Sequence, residues 1–260
     1  MKKLLLLSAF LIFACSSDDS TSDDNSDGSN DGNVVLCTKR TLQFTSQGVM
    51  ITVVYEYEYA GTQLLRWIRT ASGYPADSNS NRTRTYTNIY VDNLVTSMTV
   101  ATDTYSDGTV NFTYSYEFEY DNLGRKTKQI REGEDEYIYS YLNDGLTVQI
   151  TNSEGQLDEI QSYDSNKNLV ERESFDENGL LDYSVIYTLD DKNMPFKNVT
   201  TWYPLSFYLY VGPNNTISAD VSGSITTYDY TYNVNDYPVS SQTISNSNSN
   251  GNSYTYEYNY

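Results

Sequence analysis

Tyrosines stand two apart along most of this chain, and that spacing constrains the fold more than any other feature. In Val49-Met50-Ile51-Thr52-Val53-Val54-Tyr55-Glu56-Tyr57-Glu58-Tyr59, one parity is apolar or aromatic and the other ends in Glu, Glu. Phe112, Tyr114, Tyr116, Phe118 and Tyr120 share a parity against Asn111, Thr113, Ser115, Glu117 and Glu119. Tyr137, Tyr139 and Tyr141 repeat the pattern, as do Leu146, Val148 and Ile150, and then Leu181, Tyr183, Val185, Tyr187 and Leu189. Tyr228, Tyr230 and Tyr232 follow, and Tyr254, Tyr256, Tyr258 and Tyr260 close the chain. A period of two puts every second side chain on one face of a half-buried strand, whereas a helix needs apolar residues three or four apart. Tyr, with 27 residues against 8 Phe and 2 Trp, is also a residue that suits a pleated, half-buried surface.

Turn signals punctuate these runs at short intervals. Examples are Asp121-Asn122-Leu123-Gly124, Asn143-Asp144-Gly145, Glu177-Asn178-Gly179 and Asn233-Val234-Asn235-Asp236. Asn, Asp and Gly tolerate the positive φ that tight hairpins demand. Short turns make consecutive strands neighbours, so the predicted fold is all-β: a Tyr-rich antiparallel meander forming a curled sheet or an open soluble barrel. An imperfect repeat runs through it. Tyr120-Asp121-x-x-Gly124, Tyr141-x-x-Asp144-Gly145, Tyr163-Asp164-Ser165-Asn166, Phe175-Asp176-Glu177-Asn178-Gly179 and Tyr232-Asn233-Val234-Asn235 each read as a strand ending in an aromatic, then a turn.

The N-terminus divides the chain into three parts. Residues 1–14 carry Lys2 and Lys3 ahead of an apolar run, Leu4 to Phe13, that is too short to span a bilayer. Ile12-Phe13-Ala14-Cys15 resembles the lipobox of bacterial lipoproteins, which implies cleavage before Cys15 and acylation of its thiol. Ser16-Ser17-Asp18-Asp19 resembles the acidic tag of Bacteroidota lipoproteins carried to the cell surface. Residues 15–33 hold no apolar side chain beyond Cys15 and are expected to be a disordered acidic tether. Asp23-x-Asn25-x-Asp27-Gly28 matches the opening of a calcium loop, but Val34 stands where the bidentate Glu belongs. Residues 34–260 are then a single β domain. The expected location is the outer membrane, lipid-anchored, with the domain on the cell surface.

Composition removes several function classes. There is no His, which excludes Ser-His-Asp and Cys-His catalysis and His-ligated zinc. Cleavage before Cys15 leaves 14 Lys and Arg against 35 Asp and Glu, a net charge of −21 that disfavours nucleic acid. With Cys15 acylated, Cys37 has no partner and is expected to serve as a small buried side chain.

Whether such a barrel spans the membrane turns on its aromatics. Lipid-facing strands want aliphatic mid-strand residues with aromatics in girdles at the ends. Consecutive same-face tyrosines such as Tyr254, Tyr256 and Tyr258 would set phenol hydroxyls in hydrocarbon, so the domain is expected to be soluble.

The repeat Tyr116-Glu117-Phe118-Glu119-Tyr120-Asp121-Asn122-Leu123-Gly124-Arg125 resembles a YD repeat of the RHS type, a family that builds curled sheets around cargo. Residues 34–260 are more similar to a Bacteroidota surface lipoprotein family of unknown function with a porin-like β fold. That similarity is carried by the lipobox, the Tyr-rich strands, Asp191-Lys192-Asn193-Met194-Pro195-Phe196 and Asn235-Asp236-Tyr237-Pro238. It implies no activity and no catalytic residue.

The expected role is a non-catalytic binding or scaffold module with a glycan or protein ligand. Alternatives are a carboxylate-based glycan hydrolase and a purely structural envelope protein. Regular tyrosines are assigned to packing. The candidate ligand-binding residues break the alternation: Trp202, Tyr203, Phe207 and Tyr208, near Pro204 and Pro213, with Tyr210 and the separate Trp67 as further exposed-ring candidates. Acid clusters at Glu134-Asp135-Glu136, Asp158-Glu159 and Asp190-Asp191 supply the two carboxylates a glycosidase needs. No cofactor is expected. Calcium in the acidic turns is chemically feasible but has no diagnostic spacing.

Overall fold

The computed structural model describes residues 34–74, 81–105, 113–134, 136–200, 212–245 and 251–259. Cys15, Trp202, Tyr203, Phe207, Tyr208 and Tyr210 lie outside them. The described chain is strand after strand. β1 (Cys37–Ser46), β2 (Val49–Ala60), β3 (Gln63–Ser72) and β4 (Arg82–Val91) open the domain. β5 (Leu94–Tyr105), β6 (Thr113–Tyr120), β7 (Lys126–Arg131) and β8 (Glu136–Leu142) follow. Next come β9 (Thr147–Asn152), β10 (Leu157–Tyr163), β11 (Leu169–Phe175) and β12 (Leu181–Asn193). β13 (Asn214–Val221), β14 (Ser224–Tyr232), β15 (Pro238–Ser245) and β16 (Ser253–Tyr258) complete it. Among the described residues the only helical element is a one-turn 3-10 piece, Asn143–Gly145, and no helix is long and apolar enough to cross a membrane.

Each strand pairs antiparallel with its sequence neighbours, and β1 pairs with β16. The meander therefore closes into a 16-stranded barrel, one step beyond the curled or open sheet that alternation alone implies. Closure leaves no edge strand with unpaired backbone groups. The seam is held by Arg40 opposite Tyr256 and Leu42 opposite Tyr254, and Leu36 N–H donates to Asn259 Oδ1 at 2.6 Å.

Register separates the two faces. Tyr57 faces Trp67, Trp67 faces Tyr86, Tyr86 faces Val100 and Val100 faces Tyr114, one inward row across five strands. The neighbouring outward row reads Glu58, Arg66, Thr87, Thr99 and Ser115. The apolar parity is thus the inside of the barrel and the polar parity its outer wall.

Three clusters of buried side chains pack the interior. Val95, Met98, Val100 and Phe118 form one, with Trp67, Tyr86, Tyr90 and Tyr116 against it. Ile51, Val53 and Ala71 form a second. The third is built partly from the segment after β12: Met194, Phe196 and Val199 join Leu36, Cys37, Tyr57 and Leu64. Phe196 is 1% exposed and meets Tyr57 edge-on at 4.9 Å between centroids. Cys37 is fully buried, as expected of it, and burial pushes its thiol up to about 12.

The sequence repeat has a hydrogen-bonding basis. At Asp121, Asn152, Asp164, Asp176 and Asn233, the side-chain Oδ1 accepts from the backbone N–H groups two and four residues on. The residue three on has positive φ: Gly124 (74°), Gly155 (81°), Lys167 (68°), Gly179 (74°) and Asp236 (60°). An Asx residue that caps the loop and a left-handed residue that closes it are what a short hairpin requires. Asn143-Asp144-Gly145 differs, turning through the 3-10 piece.

Tyrosines near the ends of even-numbered strands are more than filler. Tyr59, Tyr90, Tyr120, Tyr141, Tyr230 and Tyr258 each donate their hydroxyl to a backbone carbonyl at the start of the preceding strand. The acceptors are Cys37, Leu64, Val95, Lys126, Thr216 and Pro238, at 2.7–3.0 Å. Register shifts at Glu58/Tyr59, Ile89/Tyr90 and Glu119/Tyr120 mark bulges beside these clasps. A bulge interrupts the ladder, and a phenol tethers the displaced backbone where Phe has no donor.

Candidate functional site: the barrel lumen

Inward side chains do not fill the barrel. A cavity of about 960 Å³ remains, lined by residues of β3 to β12 and by turns at both ends of those strands. Its lining mixes rings with polar groups. Trp67 and Tyr86 lie parallel, 4.4 Å apart with 3° between planes, placed there by their cross-strand pairing. Tyr114 and Tyr116 extend the aromatic wall along β6. Burial pushes the hydroxyls of Tyr116 and Tyr141 up to about 12, so both remain protonated donors at neutral pH.

A polar belt crosses β7 to β11. Gln129 of β7 is opposite Phe118 and Tyr137; its Oε1 accepts from Lys126 Nζ at 3.1 Å and from Tyr139 OH at 3.3 Å. Lys126 Nζ also lies 4.1 Å from the Tyr139 ring centroid. Burial pushes the Lys126 ammonium down to about 7, against a smaller upward pull from Glu159. Glu159 is 6% exposed; it pairs with Arg172 of β11 and accepts from Gln161 Nε2 at 2.5 Å. Tyr163 OH donates to Gln161 Oε1 at 2.6 Å. Asp158 also lines the cavity, and burial followed by the charge of Glu159 raises its carboxyl above the usual range. Such a belt orients a polar ligand through fixed donors and acceptors while the rings supply contact area.

Of the residues singled out from sequence, Trp67 lies in this cavity, and so do Glu134, Asp158 and Glu159. Asp135 lies outside the described residues, and the remaining acids of these clusters do structural work or face water. Glu134 pairs with Arg131 at 2.5 Å and Glu136 with outward Lys128 at 2.6 Å. Asp190 accepts from the backbone N–H of Asn215 at 3.0 Å and from the hydroxyl of Tyr232. Asp191 is exposed. Among the described residues no three His, Cys, Asp or Glu side chains converge as a metal site. Sequence reading passed over Lys126, Gln129, Gln161 and Arg172. Parity could have marked Gln161, two residues from Glu159 and Tyr163 on one face, but Lys126 is turned inward by the register shift at Glu119/Tyr120, which no sequence pattern announces.

The fold and cavity together define a closed antiparallel barrel with an aromatic, charged interior. No family model matches the chain, and no curated protein matches it. Among solved structures it is similar to a porin-like protein from Bacteroides uniformis, with 17% identity and a TM-score of 0.56 over 86% of this chain and 96% of that one. That likeness shows the fold. A DUF1329 family protein from Desulfovibrio piger aligns over 87% of this chain and 85% of that one, with 6% identity and a TM-score of only 0.24.

Proposed function

We propose that this chain is a non-catalytic glycan-binding lipoprotein of the outer membrane, anchored through Cys15, whose barrel stands in water and takes its ligand in the lumen. The observation that carries the binding reading is the 960 Å³ cavity lined by the Trp67–Tyr86 stack and the Gln129–Gln161 belt. Its volume falls in the range of about 300–1,000 Å³ typical of ligand pockets. Flat aromatic faces bordered by hydroxyl and amide groups suit a sugar ring, which is apolar on its C–H faces and polar at its edge.

The outer wall supports a water-standing barrel in place of a membrane pore, whatever the name of its structural neighbour suggests. Outward positions carry Glu56, Glu58, Arg66, Glu117, Glu119 and Lys128. On a lipid-facing wall a Lys or Arg costs about 2–4 kcal/mol at the bilayer midplane. Outward aliphatics are present too, but Ile138, Ile186 and Ile225 stand opposite Lys128, Glu171 and Asp220, charges that a lipid-facing band would exclude.

The test uses the mature protein with Trp202→Phe, which leaves Trp67 as the one tryptophan of the two in the chain. A glycan that shifts or protects Trp67 fluorescence supports the reading; a Trp67 signal unchanged across a broad glycan array overturns it. One observation favours a second reading, a carboxylate-based hydrolase: Asp158 is a cavity carboxyl with a raised proton affinity beside Glu159. Against it, Glu159 is already held by Arg172 and Gln161. Product release abolished by Asp158→Asn would establish the hydrolase.

A further inference from the structure

A closed wall decides how a ligand reaches this cavity. Every strand of the barrel is hydrogen-bonded to both neighbours, so no cleft opens sideways and entry is through an end. A meander alternates its hairpins between the two ends. Among the described residues, the cavity reaches exposed positions at both: Gly124, Asp144 and Lys167 in the turns after β6, β8 and β10, and Glu134 in the turn after β7. The packed core of Met194, Phe196 and Val199 lies to one side, against Cys37, Tyr57 and Leu64 of β1, β2 and β3. On the open side, the two ends of β7 are framed alike. Arg125 lies over the Tyr141 ring at 4.6 Å and pairs with Asp121 of its own turn. Arg131 lies over the Tyr114 ring at 4.4 Å and pairs with Glu134 of the next turn. Both arginines and both rings line the cavity.

Resting on the reading of the lumen as a glycan site, we propose that its ligand is an unbranched sugar chain that threads the barrel from one end to the other, between the Tyr141 and Tyr114 frames. The path along β7 from Lys126 to Arg131 is five strand steps, about 17 Å. Tyr116, Tyr139 and the Trp67–Tyr86 stack line the same cavity, so contact area grows with each sugar unit until the chain reaches the far frame. A cleft admits the middle of a branched polymer from the side. A closed wall does not, and every side sugar on a threaded chain has to pass an end of the barrel. The guanidiniums at both frames already hold carboxylates, so neutral chains are the appropriate probes.

The experiment is calorimetry on the mature, acylated protein in detergent, with linear β-1,4-glucan, β-1,4-mannan and α-1,4-glucan oligomers of two to eight units. In at least one series affinity should climb tenfold or more with length and then level off. The same backbone carrying a side sugar on alternate units should bind tenfold or more weaker. Two variants report position: Lys167→Cys at one end and Glu134→Cys at the other, each labelled with an environment-sensitive dye. Both positions are exposed, whereas Cys37 is buried and Cys15 is acylated, so the introduced thiol is the one that reacts. A chain of plateau length should shift both dyes. Binding that shifts only one dye at every length, or that is equally tight for the branched chain, overturns threading and leaves the glycan reading standing. Silence from all three series overturns both.

Discussion

The clasp between Tyr120 and the Val95 carbonyl offers a direct measure of why this barrel is written in tyrosine and not phenylalanine. Tyr120→Phe removes one hydroxyl and leaves the ring. The lost bond is 2.7 Å long, and Val95 is fully buried, so its carbonyl has little recourse to water. A neutral hydrogen bond contributes about 0.5–1.5 kcal/mol net, and stranding a buried acceptor costs about 1–3 kcal/mol. We expect Tyr120→Phe to destabilise the domain by about 1.5–2 kcal/mol in urea denaturation, with an unchanged m-value. The control is Tyr228→Phe. Tyr228 also faces inward, but its hydroxyl makes no hydrogen bond among the described residues, and the change should stay within about 0.5 kcal/mol. Tyr258→Phe breaks the matching clasp to Pro238, ten strands away along the meander, so combining it with Tyr120→Phe should add the two losses. If Tyr120→Phe and Tyr228→Phe are indistinguishable, the clasps hold nothing and the tyrosines serve only as rings. Six clasps at about 1 kcal/mol each are comparable with the whole stability of a domain, about 5–15 kcal/mol.

Lys126→Met should stabilise the barrel at pH 6, on the order of 2 kcal/mol after allowance for lumenal water. Because burial pushes the Lys126 ammonium from 10.5 to about 7, its penalty is fully present below pH 7 and lifts as pH rises toward 10.5; the advantage of the variant should fade over that window, and a pH-independent difference in paired urea melts would refute the burial argument. Glu159→Gln leaves the Arg172 guanidinium facing a neutral amide; partial access to the lumen holds the expected loss to about 2–3 kcal/mol, below that of a fully buried pair, and a melt unchanged from wild type would show the pair is incidental. Cys15→Ala should release the protein from the membrane or leave it uncleaved, since the tether has no membrane affinity of its own; membrane retention with a processed N-terminus would remove the lipid anchor.

How far the sequence spoke for itself depended on whether a feature was local. Strand alternation and hairpin turns are local, and Asp121-x-x-Gly124 or Asp176-x-x-Gly179 announces its turn by residue type alone. Closure was not legible, because the pairing of Cys37 with Tyr258 joins residues at opposite ends of the domain and no local pattern encodes it. The lumenal belt was hidden for a different reason. In Lys126-Thr127-Lys128-Gln129, alternation has no apolar member to mark the inner parity, so Lys126 and Lys128 look alike. Only the register, which sets Phe118 opposite Gln129 and Tyr120 opposite Lys126, shows which lysine enters the barrel. The Tyr stripes carried a related ambiguity. A ring on the apolar parity can pack a core or face a cavity, and the difference is set by strand number. Sixteen strands make a barrel wider than the roughly eight whose side chains fill the interior. Closure therefore converts part of a packing surface into the wall of a cavity, with Phe118 buried in its cluster while Tyr116, two residues away on the same strand, lines the cavity. The functional question passes from individual residues to barrel size, a property that no single stripe carries and only the completed circuit of pairings defines.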